Sequence, residues 1–585
     1  MLKRAFLLFI AAAVVAATSC YGQADSSAQK IRLDQVGFYP DASKIAVVLA
    51  NDASSFSLQT PAKKTVFNGK LVKSLKPAMN GSYTFIADFS AFHKPGKYLL
   101  DVPGLGESYP FTISANVHKQ VADASIKAYY FMRVSTPIKE KYAGKWNRAE
   151  GHPDNQVLIH ASAASAQRPE GTAISSPGGW YDAGDYNKYI VNSGISVYTL
   201  LSLYEDFPEY MKTVKLNIPE SGNGTPDLLN ETLWNIRWML TMQDPNDGGV
   251  YHKLTNAVFD KMVMPDKATS PRYVVQKSTA AALDFAAVMA QSARIFKQFP
   301  KELPGLADTC LNASKKAWDW AQKNPNVLYI QNEMNQKFSP KVTTGEYGDR
   351  FINDEFIWAA CELFVTTGDA GYVKTVNILP DDKMPLPSWW QVKLLGYYTL
   401  LRHADEIKGK YPDLSKVRKL FFDFADNMIS GTDSTAYRDV MQKKRSNFIW
   451  GSNSVAGNQG VALILAYKLS GDKKYLRYAL SNLDYLLGRN GSGYCYVTGY
   501  GSKPVMHPHH RPSIADGIVD PIPGLLAGGA QAGMQDHIKV PSTVPEEAYI
   551  DNDQAYAGNE IALNWNAPLA YLANAIEALQ SRLNN

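Results

Sequence analysis

The chain has 585 residues, 45% hydrophobic and 20% charged, the balance of a folded globular protein with room for more than one domain, not of a disordered one. A formal net charge of +5 is small at this length and gives no basic surface from which to argue for nucleic acid as a partner. Four scattered cysteines, with no C-x-x-C pair, imply no disulfide framework.

Residues 1–24 read as a targeting segment. Lys3 and Arg4 precede an apolar run, residues 5–17, that is short for a membrane span. Gly22-Gln23-Ala24 offers small residues for ordinary signal cleavage. Ala17-Thr18-Ser19-Cys20 offers a competing route, a bacterial lipobox with Ala17 in place of the usual Leu, in which lipidated Cys20 becomes the first residue. Either route predicts export to the periplasm, the cell surface or the medium, and the second adds membrane attachment.

Residues 30–114 read as a small β-sandwich of immunoglobulin size. Short apolar runs at 45–49 and 83–87 alternate with turn signals at Asn80-Gly81 and Pro95-Gly96. A carbohydrate-binding module is the functional alternative, but it calls for a line of aromatic residues that this stretch does not show.

From residue 117 to 585 the apolar period becomes helical. Helices are predicted at 195–204, 228–242, 279–296, 354–364, 417–428, 459–469, 475–487 and 568–583, the last with Asn566 as N-cap and Pro568 just inside. Cys310 and Cys361 fall on such patterns and read as small core residues. Long Gly-, Pro- and aromatic-rich loops at 145–179, 244–272 and 494–529 separate the helices. Loops of that length in a compact domain usually carry function. The pattern fits a helical toroid whose loops form a cleft at one end.

Three stretches carry chemistry. In 178–189, Asp182 and Asp185 lie three apart among glycines and aromatic rings, a spacing that on a helical turn points both carboxylates the same way. The plainer reading makes Asp185 the N-cap of the following helix and Asp182 a turn residue. In 505–511, His507, His509 and His510 crowd Arg511. The guanidinium repels a cation, so donation to sugar hydroxyls or to a carboxylate is the better reading than metal ligation. In 549–567, Glu560 is a lone acid between a glycine turn and an apolar stretch, a setting that raises a carboxyl pKa. A proton-holding acid facing a distant carboxylate pair is what glycosidic cleavage requires. Trp180, Tyr251, Trp450 and Tyr556 lie in or near these stretches and could stack on sugar rings.

Together these stretches resemble glycoside hydrolase family 9, the former cellulase family E, over essentially the whole mature chain. Residues 179–189 resemble its G-W-x-D-A-G-D-x-x-K signature. Thr498, Gly501, Lys503, Pro508, His509 and Arg511 fall at the spacing of its histidine signature, with Cys495 where Ser, Thr or Val is usual. Tyr549, Asp551, Tyr556, Glu560, Ala562, Asn566 and Ala567 match its acidic signature, and residues 31–113 resemble the immunoglobulin-like domain that often precedes the catalytic one.

The resemblance implies a multidomain chain, an N-terminal immunoglobulin-like β-sandwich followed by an all-α (α/α)6 barrel. It implies endo-acting hydrolysis of a β-1,4-glucan (cellulose, xyloglucan or mixed-linkage glucan) with inversion, by a monomer that needs no cofactor. Asp185 would be the general base, Asp182 would help orient the attacking water and Glu560 would be the general acid. His509, Arg511 and Asp551 would hold substrate and tune the carboxylates. Inversion predicts carboxyls roughly 6.5–9.5 Å apart across the water. Asp354-Glu355 resembles a family segment that can bind calcium, although a helix start explains the same residues. Relatives that hold a structural zinc use cysteines before the D-A-G-D segment. Here His152 and His160 stand without cysteine, so zinc is not expected. The alternatives are an exo-acting glucanase or exo-β-glucosaminidase of the same family, a non-catalytic glycan-binding protein, and, more remotely, a lyase or epimerase on a similar toroid.

Overall fold

A computed structural model of the chain describes residues 28–584. The targeting segment and Cys20 lie outside the described residues. No helix among the described residues is long and apolar enough to cross a membrane.

The first part is all β. Eight strands follow one path, Ile31–Arg32, Ile45–Val48, Phe85–Asp88, Thr65–Lys73, Ser55–Gln59, Gly96–Val102, Phe111–Ile113 and Gly37–Phe38, with a ninth, Gly106–Glu107, added against Gly96–Val102. The long strand Thr65–Lys73 pairs with Ser55–Gln59 over most of its length and with Phe85–Asp88 through residues 71–73. It thereby passes between the two halves and wraps them over one core of Phe38, Val48, Phe56, Leu58, Leu100 and Phe111. Gly96–Val102 buries every second residue from Tyr98 on, the alternation that a one-sided strand requires.

The second part is a ring within a ring. Six helices, Ile190–Asp206, Thr279–Phe296, Asn353–Thr367, Lys393–Arg402, Ser452–Ser470 and Leu563–Ala578, each pack on the next, and the last packs on the first. They are apolar nearly all round because they are covered nearly all round; Thr279–Phe296 is buried along its whole length save Arg294. The outer helices Lys119–Phe131, Asp227–Thr241, Leu306–Lys323, Gly371–Lys374, Leu414–Ile429 and Lys473–Leu486 cover them. Leu414–Ile429 shows why an outer helix differs: only Val417, Phe421, Ala425 and Ile429 are buried, one stripe at four-residue spacing. The closed double ring is the (α/α)6 barrel.

Two predicted features move. The last inner helix begins at Leu563, not after Asn566. The Asn566 amide is spent elsewhere: its Oδ1 accepts from Leu526 N at 3.0 Å and its Nδ2 donates to Ser125 O at 2.7 Å. The loops before the second inner helix also contain a five-stranded sheet, in the order Ala173–Ile174, Val157–Ile159, Arg272–Val274, Lys253–Asn256 and Lys188–Tyr189. Its strands are too short and too polar to show an alternating pattern.

Candidate active site

The loops that enter the inner helices converge on one end of the barrel. Residues 182–189 lead into Ile190–Asp206, Tyr347 precedes Asn353–Thr367, Trp389 and Trp390 precede Lys393–Arg402, Ile449 and Trp450 precede Ser452–Ser470, and Glu560 precedes Leu563–Ala578. Asp182, Ala183, Asp185 and Tyr189 from the first of these loops, and the named residues of the others, line a cavity of about 680 Å³. The amino ends of several helices therefore point at a place that must hold negative charge, and helix dipoles favour that.

Asp182 and Asp185 lie in a tight loop, not on a helical turn, and Asp185 does not cap the helix, whose N-cap is Tyr189. Asp182 N donates to Asn187 O at 3.0 Å and closes the loop. Gly184 at its tip is required by contact: a Cβ there would sit 2.4 Å from His509 O. That approach lets Arg511 donate to Gly184 O from its backbone N at 3.2 Å and from Nη1 at 2.6 Å.

The two carboxylates are held differently. Asp182 accepts at Oδ1 from Asn192 Nδ2 and at Oδ2 from the Tyr347 hydroxyl, both at 2.9 Å. Burial and the neighbouring Asp185 push its pKa well above the usual range, against these two donors. Asp185 takes all its hydrogen bonds at Oδ2, from Asn187 Nδ2 at 2.5 Å, Asn187 N at 3.3 Å and the Tyr189 hydroxyl at 3.1 Å. Its Oδ1 is left for the cavity.

Glu560 meets them from a remote part of the chain. Its backbone bridges His509, and its carbonyl accepts from Gly528 N at 2.9 Å. The half-buried side chain lies at the cavity wall. Burial first, then the charges of Asp185 and Asp182, raise its pKa to about 8, with Arg511 opposing. It therefore keeps its proton at neutral pH.

His509 and Tyr556 line the same wall. His509 Nδ1 donates to Asp553 O at 2.7 Å, which leaves Nε2 as the acceptor nitrogen. Its ring lies 5.8 Å from that of Tyr556, which lies 5.5 Å from Trp450. Trp450, Trp390 and Phe259 stay 41%, 47% and 46% exposed, so their faces remain open to a ligand. Arg511 also lines the cavity, but its Nε donates to Asp260 O at 3.0 Å, so much of it clamps loops.

Three predicted site residues are elsewhere. Trp180 is fully buried, with Nε1 donating to Glu231 at 3.0 Å, and Tyr251 is fully buried with its hydroxyl on Asp244 at 3.1 Å. Both are packing residues, not sugar platforms. Asp551 does not line the cavity; its two oxygens accept from Met506 N and His507 N, each at 2.9 Å, and so anchor the loop that presents His509. Conversely, Asn187, Tyr189, Asn192, Tyr347, Phe259, Trp389 and Trp390 went unread. The adjacent tryptophans in a loop were a usable signal; Tyr347 offered none.

Asp354 and Glu355 lie beside a different acidic group. Asp354 Oδ2 accepts from Val392 N at 2.7 Å. Glu355 and Asp284 have both carboxylate oxygens buried without partners, and Asp349 has one. Burial raises all four pKa values, and repulsion from neighbouring carboxylates adds to it at Asp284, Asp354 and Glu355. The donors are of the hard oxygen type that calcium takes. Among the described residues, however, no set of three or more His, Cys, Asp or Glu side chains is arranged to hold a metal ion, so these carboxylates would have to turn to enclose one. His152 and His160 do not make a zinc site: His152 is ringed by Arg272, Lys188 and Arg148, and His160 spends its nitrogens on Ser162 and Pro340.

The sequence model for glycosyl hydrolase family 9 matches residues 118–573, and that for the cellulase N-terminal ig-like domain matches residues 26–107. The chain belongs to glycosyl hydrolase family 9. A xyloglucan-specific endo-beta-1,4-glucanase of Bacteroides ovatus is 47% identical over 554 residues, 94% of each chain. Endoglucanase D of Acetivibrio thermocellus is 33% identical over 93% of this chain and 82% of its own. The solved structure of a Bacteroides ovatus family 9 protein superposes with a TM-score of 0.89 at 45% identity, covering 94% of this chain and 99% of that one. The family 9 domain therefore follows the immunoglobulin-like one, and the protein is a glycoside hydrolase.

Proposed function

We propose that this family 9 enzyme is an endo-acting β-1,4-glucanase that cleaves xyloglucan-type glucans by an inverting acid–base mechanism. One observation carries the reading: Glu560, held protonated, shares a cavity with a carboxylate whose Oδ1 is free, Asp185. The glucan backbone lies across Trp390, Trp450 and Phe259. Glu560 gives its proton to the glycosidic oxygen as the bond from the anomeric carbon breaks. Water attacks that carbon from the opposite face and passes its proton to Asp185. Asp182, held by Asn192 and Tyr347, orients the water. The similarity to a xyloglucan-specific enzyme over nearly the whole chain supports the branched substrate. Product profiles on xyloglucan, cellulose and chitosan oligosaccharides test it. Internal cleavage with preference for xyloglucan is expected; release of one end unit at a time would favour the exo-acting alternative. Glu560→Gln and Asp185→Asn should each lower kcat by about a thousandfold or more without loss of fold.

The proposal extends to two further points. A calcium ion held by Asp284, Asp349, Asp354 and Glu355 would neutralise a buried acidic cluster and stiffen the third inner helix, outside the chemistry. Export, with attachment through Cys20, would place the enzyme where polymeric substrate is met; labelled fatty-acid incorporation lost in Cys20→Ala would support the lipid anchor.

A further inference from the structure

We infer that Lys253 is a positioning residue for hydrolysis, a buried cation behind the cavity wall that holds the donors of both aspartates in register. The inference rests on the acid–base reading above. Lys253 opens the strand Lys253–Asn256 and lies directly across from Tyr189 in the small sheet. It is fully buried, yet among the described residues it forms no ion pair. Its Nζ donates to Gln331 Oε1 at 2.7 Å, Thr344 Oγ1 at 3.1 Å and Gly345 O at 2.5 Å. A buried ammonium with only neutral partners is costly, so a purely structural role would be served better by an uncharged side chain.

The connections run to the reacting carboxylates on two sides. Nζ lies 5.5 Å from the centre of the Tyr189 ring, whose hydroxyl donates to Asp185 Oδ2. Further along the strand, Thr255 Oγ1 at 3.0 Å and Asn256 N at 2.9 Å both donate to Asn187 Oδ1 and so turn the Asn187 amide toward Asp185 Oδ2. On the other side, Thr344 and Gly345 lead directly to Tyr347, which donates to Asp182. Tyr347 has a left-handed backbone, φ 47°, a strain that a tethered loop can hold. One lysine thus tethers the loop that serves Asp182 and backs the strand that serves Asp185.

The charged and titratable groups around Lys253 agree with a cation there. Asp185 and Glu346 attract it, and the rings of Tyr189 and Tyr329 face it, the latter at 5.3 Å. His252 opposes it only weakly, because burial keeps that ring neutral with a pKa lowered to about 3. Burial lowers the lysine itself to about 7, so the charge is present below neutrality and fades above it.

The test compares full-length Lys253→Met, Lys253→Gln and Lys253→Arg by kcat, KM, the pH profile of kcat/KM and circular dichroism. The charge role predicts that Met and Gln lower kcat about tenfold or more with KM within about threefold, and move the acid limb up by about half a pH unit or more. Arg should return the limb toward the wild-type position. Gln keeps a donor for Thr344 and Gly345 and is the variant to read if Met does not fold. Folded Gln protein with an unmoved acid limb would overturn the inference, as would wild-type kcat. Glu560→Gln, run in parallel, separates this from failure of the acid–base reading: if that variant stays active, the reading itself is wrong, whatever Lys253 does.

Discussion

At Glu560 the sign of the pH response can be worked out. Its folded pKa is raised to about 8, and the acid works only when protonated, so activity should persist to that pH and fall above it. Stability follows the same proton. The folded state binds it more tightly than the unfolded chain does, so the stability it contributes is complete below the ordinary glutamate range and is lost as pH rises toward 8. Glu560→Gln removes the ionisation. The variant should melt higher than wild type by an amount that grows from pH 5 to pH 9, reaching about 1 kcal/mol or more. Equal melting shifts at both ends of that range would show that Glu560 is not held protonated by burial. Glu560 was readable in the sequence because a lone acid in an apolar stretch has a local signature. Tyr347 was not, since its role depends on a loop returning to Asp182 from 165 residues away.

Five of the six inner helices were legible as elements because long, deeply buried helices carry strong apolar patterns: Thr279–Phe296 has the predicted bounds, whereas the ten-residue Lys393–Arg402 matches no predicted helix. The start of Leu563–Ala578 was misread because Asn and Pro at 566 and 568 imitate a helix beginning, whereas the Asn566 side chain ties two other loops. The D-A-G-D pair was legible as a pair and misread in shape, since loop closure onto Asn187 rather than helical spacing brings the carboxylates together. Asp551 belongs at this scale. Its carboxylate satisfies two amides of the loop before His509, so Asp551→Ala should cost about 1–3 kcal/mol and lower kcat while leaving the pH limbs in place. A moved alkaline limb would instead mean that Asp551 tunes Glu560 directly.

Over the whole molecule, the β domain is built into the site's supports. Gln35 accepts at Oε1 from Ser502 N at 3.0 Å and Lys503 N at 2.8 Å, and donates from Nε2 to Gly493 O at 3.0 Å. Met79 N and Asn80 Nδ2 reach Glu546 and Glu547, both at 2.6 Å. The first set braces the loop to His509, the second the loop to Glu560. Gln35→Ala should therefore reduce kcat several-fold and lower the melting temperature; a variant with lowered melting but unchanged kcat would confine Gln35 to domain docking. No composition or period foretells such contacts, because each joins residues more than 450 positions apart. The acidic cluster gives a second whole-molecule test. Calcium should raise the melting temperature near pH 7.5, chelation should lower it, and the effect should weaken toward pH 4 as the four acids, whose pKa values burial raises, take up protons. Indifference to calcium at both pH values would mean that protons alone keep the cluster neutral.

The measurement that reaches the centre of this account is proton NMR of the first sugar product released from a β-1,4-linked oligosaccharide, taken before mutarotation. An acid at Glu560 and a water-activating base at Asp185 on opposite faces of the sugar predict the α-anomer first. Initial release of the β-anomer would contradict that geometry and the roles assigned to both residues.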